Sequence, residues 1–176
     1  MESPRESAGS AESVTSAASI EACRPAAHDD LAGVLTLARA LHAELRTMKG
    51  GELLVTRATR PEALESAYVA LLARDDARFV VGTIDEVVVG FGIVELETLV
   101  DGTTLGVVTE LVVELPARGI GIGELILDDL LRFCTGHDCV GIDASALPGH
   151  RATKNFFEQQ GFTARALIMH RPLAAP

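Results

Sequence analysis

The chain has 176 residues, enough for one domain with a sizeable core. Its 48% hydrophobic and 23% charged content excludes a disordered polyelectrolyte, and with no Trp, one Tyr and six Phe the core must come mostly from Val, Leu, Ile and Ala. A formal net charge of -10 argues against nucleic-acid binding, which needs clustered Lys and Arg.

No apolar run approaches the ~20 residues of a bilayer span, and the N-terminus shows no basic segment followed by an apolar one. No membrane partner is expected. The three cysteines, Cys23, Cys134 and Cys139, form an odd set without a disulfide framework, which suits a reducing cytoplasm. His137 lies between Cys134 and Cys139, but no fourth ligand follows at zinc spacing, so no metal is expected.

In chain order, residues 1–18 are Ser, Ala and Glu with little to bury, and read as a disordered tail before a domain over 19–176. Ser19–Pro25 is a first strand. His28-Asp29-Asp30 offers capping chemistry to a helix whose Leu31, Val34, Leu35, Ala38, Leu41 and Leu45 recur at helical spacing. Arg46–Arg60, with Gly50-Gly51, reads as a loop, and Pro61 opens a second helix to about Ala73. Arg78–Ile84 and Val87–Leu99 form a hairpin around Asp85-Glu86. Asp101-Gly102, both tolerant of positive φ, signals a tight turn into a strand over Leu105–Leu115.

A helix follows from about Gly121 to Thr135, with Ile122, Leu125, Ile126, Leu130 and Phe133 inward and Asp128, Asp129 and Arg132 outward. Cys139–Ser145 is a strand, Arg151–Gln160 a helix stopped by Gly161, and Phe162–Leu173 a closing strand. The order is βααβββαβαβ, an α/β or α+β mixed sheet with helices on both faces.

The most informative segment runs from Glu110 to Cys134. Arg118, Gly119, Ile120, Gly121, Ile122 and Gly123 lie between a strand and an amphipathic helix. Glycines at every second position let the backbone approach a ligand, and the unpaired N–H groups of the helix start can cradle a pyrophosphate. Arg118 adds local positive charge. A dinucleotide site of the Rossmann kind would use Asp143 on the ribose, but the spacing is G-x-G-x-G and only two strands remain downstream. A P-loop fails because no Gly-Lys-Ser/Thr follows.

These residues resemble the GNAT superfamily of acetyl-CoA-dependent acyltransferases. Arg118, Gly121 and Gly123 match its Arg/Gln-x-x-Gly-x-Gly/Ala signature after the strand ELVV, and ATKNFFEQQGF (Ala152–Phe162) matches its second motif, a helix with an aromatic pair. The resemblance implies that the strand bearing Leu111, Val112 and Val113 splays from Cys139–Ser145, with pantetheine in the gap. The N–H near Val113 would polarise the thioester carbonyl, and the Arg118–Gly123 turn would hold the pyrophosphate.

The implied reaction is direct attack of a neutral amine on the bound thioester, with no metal. The ammonium must first lose a proton, and Glu110 is the candidate base, or else a structural strand carboxylate; Thr109 could position a water. Two departures stand out. Phe157 occupies the position where many members carry a Tyr that protonates the departing thiolate, although it can still contact the cofactor. His150 stands where an Asn often contacts pantetheine, and is a candidate donor or acid, or an exposed loop residue. Arg151 and Lys154 are either phosphate partners or surface charges.

The acceptor is a small-molecule or protein amine. The basic loop Arg46–Arg60 favours an acidic one, the overall charge a cationic one. An alternative to an N-acetyltransferase is a CoA-binding regulatory domain without turnover. A homodimer is the expected assembly by family habit.

Overall fold

The computed structural model describes residues 19–58 and 65–173. The tail expected over 1–18 and the predicted helix start at Pro61 lie outside them. Five strands form one sheet in the order β1 (Glu21–Pro25), β2 (Ala77–Ile84), β3 (Val87–Thr98), β4 (Thr104–Val113) and β5 (Gly141–Ala144). Neighbours are antiparallel through β4, and β5 joins β4 in parallel. The helices are α1 (Leu31–Arg46), α2 (Gly51–Ala58), α3 (Glu65–Leu72), α4 (Ile122–Gly136) and α5 (Arg151–Gln159).

Alternation along the strands divides the core into two layers. Phe79, Val81, Phe91, Ile93 and Val112 meet Leu31, Val34 and Leu37 of α1 and Tyr68 and Leu71 of α3. On the other face Val80, Val89, Val94, Val108 and Val113 meet Ile122, Ile126 and Leu130 of α4. Helix α4 lies close to the strands because of glycine: a Cβ on Gly92 would fall 2.3 Å from Ile126 Cγ2.

Several expectations are corrected. Residues 51–58 of the expected loop form α2, where GELLVTRA offers an apolar side that packs on α1. The hairpin expected around Asp85 and Glu86 is present, with both residues at positive φ. At the other turn only Gly102 takes positive φ, while Asp101 accepts hydrogen bonds from the Thr103 N–H and hydroxyl. Asp129 is buried rather than outward because Arg78 and Arg132 both pair with it. Leu125, expected inward, is 36% exposed.

The closing strand over Phe162–Leu173 is absent. From Thr163 to Leu173 the chain carries no regular structure, and Leu167, Ile168 and Met169 are all exposed. A β-prone run becomes a strand only where an edge accepts it. The neighbouring β5 spans only Gly141–Ala144, and the segment reaches it through a side chain, with Arg165 paired to Asp143.

Candidate active site

A bulge in β4 sets the direction of Glu110. Ile93 faces Glu110 whereas Val94 faces Val108, so Thr109 is the extra residue. In a regular strand residues 108 and 110 would share a face. Here Val108 packs with α4, while Glu110 turns toward the opposite layer. There the Tyr68 hydroxyl donates to Glu110 Oε2 at 2.8 Å, and the Glu110 residue is only 4% exposed. The strand therefore delivers a buried carboxylate into the layer between the sheet and helices α1 and α3.

Beside the bulge, β4 loses its neighbour on one side. Pairing of β4 with β5 ends at Val108 and Ala144, while β4 continues to Val113. Leu111 and Val113 belong to the α4 side and Val112 to the α1 side. Past Val113 the chain makes a short 3-10 turn, Leu115–Ala117, and enters the glycine segment.

That segment turns through two left-handed glycines, Gly119 at φ 80° and Gly121 at φ 102°. Gly121 is the N-cap of α4, and a Cβ on either glycine would meet nothing within 4 Å. The side without Cβ atoms is open, and the first-turn N–H groups of α4 lie beside it. Ile120 is 45% exposed, whereas the Ile122 side chain is wholly in the core. The backbone, not these isoleucine side chains, defines the turn. It fits an anionic diphosphate: donors at a helix start, a positive dipole end, and room that a Cβ would take.

Arg118 is engaged within the protein. Its Nε donates to the Val113 carbonyl at 2.9 Å, and its terminal nitrogens reach the Glu44 carboxylate at 2.9 and 3.4 Å. The Arg118 hydrogen bond holds the Glu44 carboxyl below its ordinary pKa, against the opposing effect of burial; the charges of Arg118 and His150 assist. His150 stands at the N-cap position of α5, with Nδ1 2.7 Å from Thr153 Oγ1 and Nε2 3.9 Å from Glu44 Oε1. Glu44 thus ties α1 to both the glycine turn and the start of α5.

The aromatic pair divides its work. Phe156 approaches the glycine segment, since a Cβ on Gly123 would lie 3.2 Å from its Cε2. Phe157 is buried, with its ring centroid 5.4 Å from Phe156 and 5.1 Å from Phe162. Arg151 is exposed at the start of α5, and Lys154 pairs with Glu158. Asp143 pairs with Arg165, whose hydrogen bond lowers the carboxyl's pKa.

The structure therefore groups Glu110 with Tyr68, and groups the glycine turn with Arg118, Glu44, His150 and Phe156. Sequence reasoning passed over Tyr68, Glu44 and Phe156. Tyr68 carried one signal: it is the chain's single Tyr. Among the described residues no group of three or more His, Cys, Asp or Glu is placed to hold a metal, and no helix is long and apolar enough to cross a membrane.

A mixed sheet thus leads through an open glycine turn into a helix start with free N–H donors. The model of the Acetyltransferase (GNAT) family matches residues 40–162, and the chain belongs to that family, whose members use acetyl-CoA. Solved structures agree on the fold. A tetramutant of the BH1408 protein from Bacillus halodurans has a TM-score of 0.72 at 21% identity, covering 86% of this chain and 99% of that one. Glucosamine-6-phosphate N-acetyltransferase from Arabidopsis thaliana has a TM-score of 0.63 at 19% identity, covering 88% and 99%. AAC(6')-Iy, in complex with the bisubstrate analogue CoA-S-monomethyl-acetylneamine, has a TM-score of 0.67 at 16% identity, covering 88% and 99%. No curated protein matches the chain in sequence.

Proposed function

We propose that this protein is an N-acetyltransferase that binds acetyl-CoA at the Arg118–Gly123 turn and transfers the acetyl group directly to a primary amine. The observation that carries the reading is the joint placement of an open glycine turn at the α4 N-terminus and a buried carboxylate, Glu110, on the strand leading to it. Acetyl-CoA supplies an activated thioester carbonyl. The first-turn N–H groups of α4 hold its diphosphate, and the end of β4 at Leu111–Val113 aligns its pantetheine arm. Glu110 receives the proton that the acceptor ammonium loses, and Tyr68 fixes the carboxylate's orientation. Phe157 carries no proton donor, so the departing thiolate leaves unprotonated or takes a proton through His150; a thiol's acidity permits either. Holding both substrates makes the attack intramolecular.

Calorimetry with acetyl-CoA, followed by transfer assays on glucosamine 6-phosphate, neamine, spermidine and a lysine peptide, tests the reading. Saturable binding and an acetylated product are expected. Binding without product on any amine would leave a CoA-binding domain without turnover, the reading that Phe157 favours. A homodimer in the cytoplasm is the assembly and location we carry with this function. The exposed Leu167, Ile168 and Met169 give a second copy apolar surface to cover, and light scattering reads the mass.

A further inference from the structure

Helix α1 carries a histidine in an unusual state. His42 follows Val34 and Ala38 at four-residue intervals, so it continues the stripe that α1 turns toward the sheet. It is 2% exposed, and among the described residues neither ring nitrogen has a hydrogen-bond partner. In either protonation state an imidazole presents two polar nitrogens, and burying both unpaired is costly. Valine or leucine would fill that stripe without the cost. Such a group calls for an explanation, and a role toward a bound molecule is one.

The position suggests which ligand. Helix α1 packs on β3 and β4, on the face to which the Thr109 bulge turns Glu110. The same helix, two residues further on, bears Glu44, which reaches Arg118 of the glycine turn. His42 therefore stands in the layer that holds the buried carboxylate, on the helix tied to the glycine turn. We propose that His42 is a specificity-determining residue for the acceptor: it hydrogen-bonds a hydroxyl carried by the amine substrate, selecting hydroxylated amines over bare alkyl amines. The inference rests on the acetyl-transfer reading above. Its physical basis is that a site built around a buried polar group rejects an analogue that leaves the group unpaired.

The test compares two six-membered-ring amines, glucosamine and cyclohexylamine, on the wild type, His42→Leu and His42→Gln. The wild type is expected to favour glucosamine at least tenfold in kcat/KM. His42→Leu should bring the two amines within about threefold, chiefly by raising KM for glucosamine, while its acetyl-CoA affinity stays within twofold and its melting temperature rises. His42→Gln, which keeps a donor and an acceptor, should recover part of the preference. An unchanged glucosamine preference in His42→Leu overturns the inference. So does a wild type that acetylates other amines without favouring glucosamine, or a His42→Leu protein that melts lower and loses acetyl-CoA affinity in parallel with turnover. A wild type that acetylates no amine at all overturns the transfer reading itself, and this inference with it.

Discussion

Arg118 and Glu44 form a clasp across the candidate site, with the guanidinium Nη2 2.9 Å from Glu44 Oε2 and Nε held by the Val113 carbonyl. The sequence reading has Arg118 add local positive charge to the turn that would hold the pyrophosphate. The structure gives it two internal partners, so the positive potential at the turn comes first from the helix start and only then from this side chain.

Glu44→Gln follows as the first prediction. Removing the carboxylate's charge leaves the Arg118 guanidinium uncompensated beside the glycine turn. Both side chains are more than a third exposed, or close to it, so the effect is small. Acetyl-CoA should bind about two- to fivefold tighter at low salt, with the gain shrinking as salt rises. Calorimetry at two ionic strengths reads this, and weaker binding at both would mean that Glu44 positions Arg118 for the ligand.

The second prediction separates backbone from space at Gly121. At φ 102° any side chain is strained, which costs Gly121→Ala about 1–2 kcal/mol of stability, although its Cβ would touch nothing. Gly121→Glu shares that strain and adds bulk and negative charge where the diphosphate is proposed to sit. Urea midpoints of the two variants should be similar, while acetyl-CoA affinity should be weakened in Gly121→Ala, whose Cβ takes part of the room left for the ligand, and lost in Gly121→Glu. Equal affinity in both would move the cofactor elsewhere.

How far these features could be read from the sequence depends on their range. The glycine turn, the amphipathic α4 and the FF helix are local, and each was legible because residue spacing alone fixes it. The partners of Glu110 were not. Tyr68 lies 42 positions away, and the Thr109 bulge that aims the carboxylate is set by β3–β4 register, which no single segment encodes. The closing strand failed for the related reason that Phe162–Leu173 has β propensity while β5 offers only a four-residue edge. Asp129 was placed outward because helical periodicity ignores Arg78, which approaches from β2.

The third prediction concerns pH and stability. Asp30 is 7% exposed; its carboxylate takes two hydrogen bonds from Arg24, at 2.7 and 2.8 Å, and one from the Ala27 N–H. The Arg24 hydrogen bonds lower its pKa, against burial, with Ala27 and the Arg24 charge adding. A carboxyl lowered on folding stabilises the protein fully above its unfolded value of about 3.9, and that stability is lost as pH falls through the folded value. Asp30→Asn should therefore cost about 1–3 kcal/mol at pH 7, and the gap from wild type should narrow steadily below about pH 4. Urea titrations at pH 7, 5 and 3 measure it, and a gap constant across the series would mean that Arg24 contributes packing rather than charge.

The fourth prediction addresses Glu110. If the bulge at Thr109 exists to present a carboxylate to the acceptor, Glu110→Gln keeps the shape and can still accept from Tyr68, but it cannot take a proton. Turnover should fall about 100-fold or more while acetyl-CoA affinity stays within twofold. Tyr68→Phe removes only the orienting hydroxyl, so it should cost about 1 kcal/mol of stability and a smaller part of the rate. A stopped assay under saturating acetyl-CoA with the best acceptor, alongside calorimetry, separates the two effects. Were Glu110→Gln to keep its kcat within twofold, the carboxylate would be structural, and proton removal would fall to water or to the acceptor's own neutral fraction.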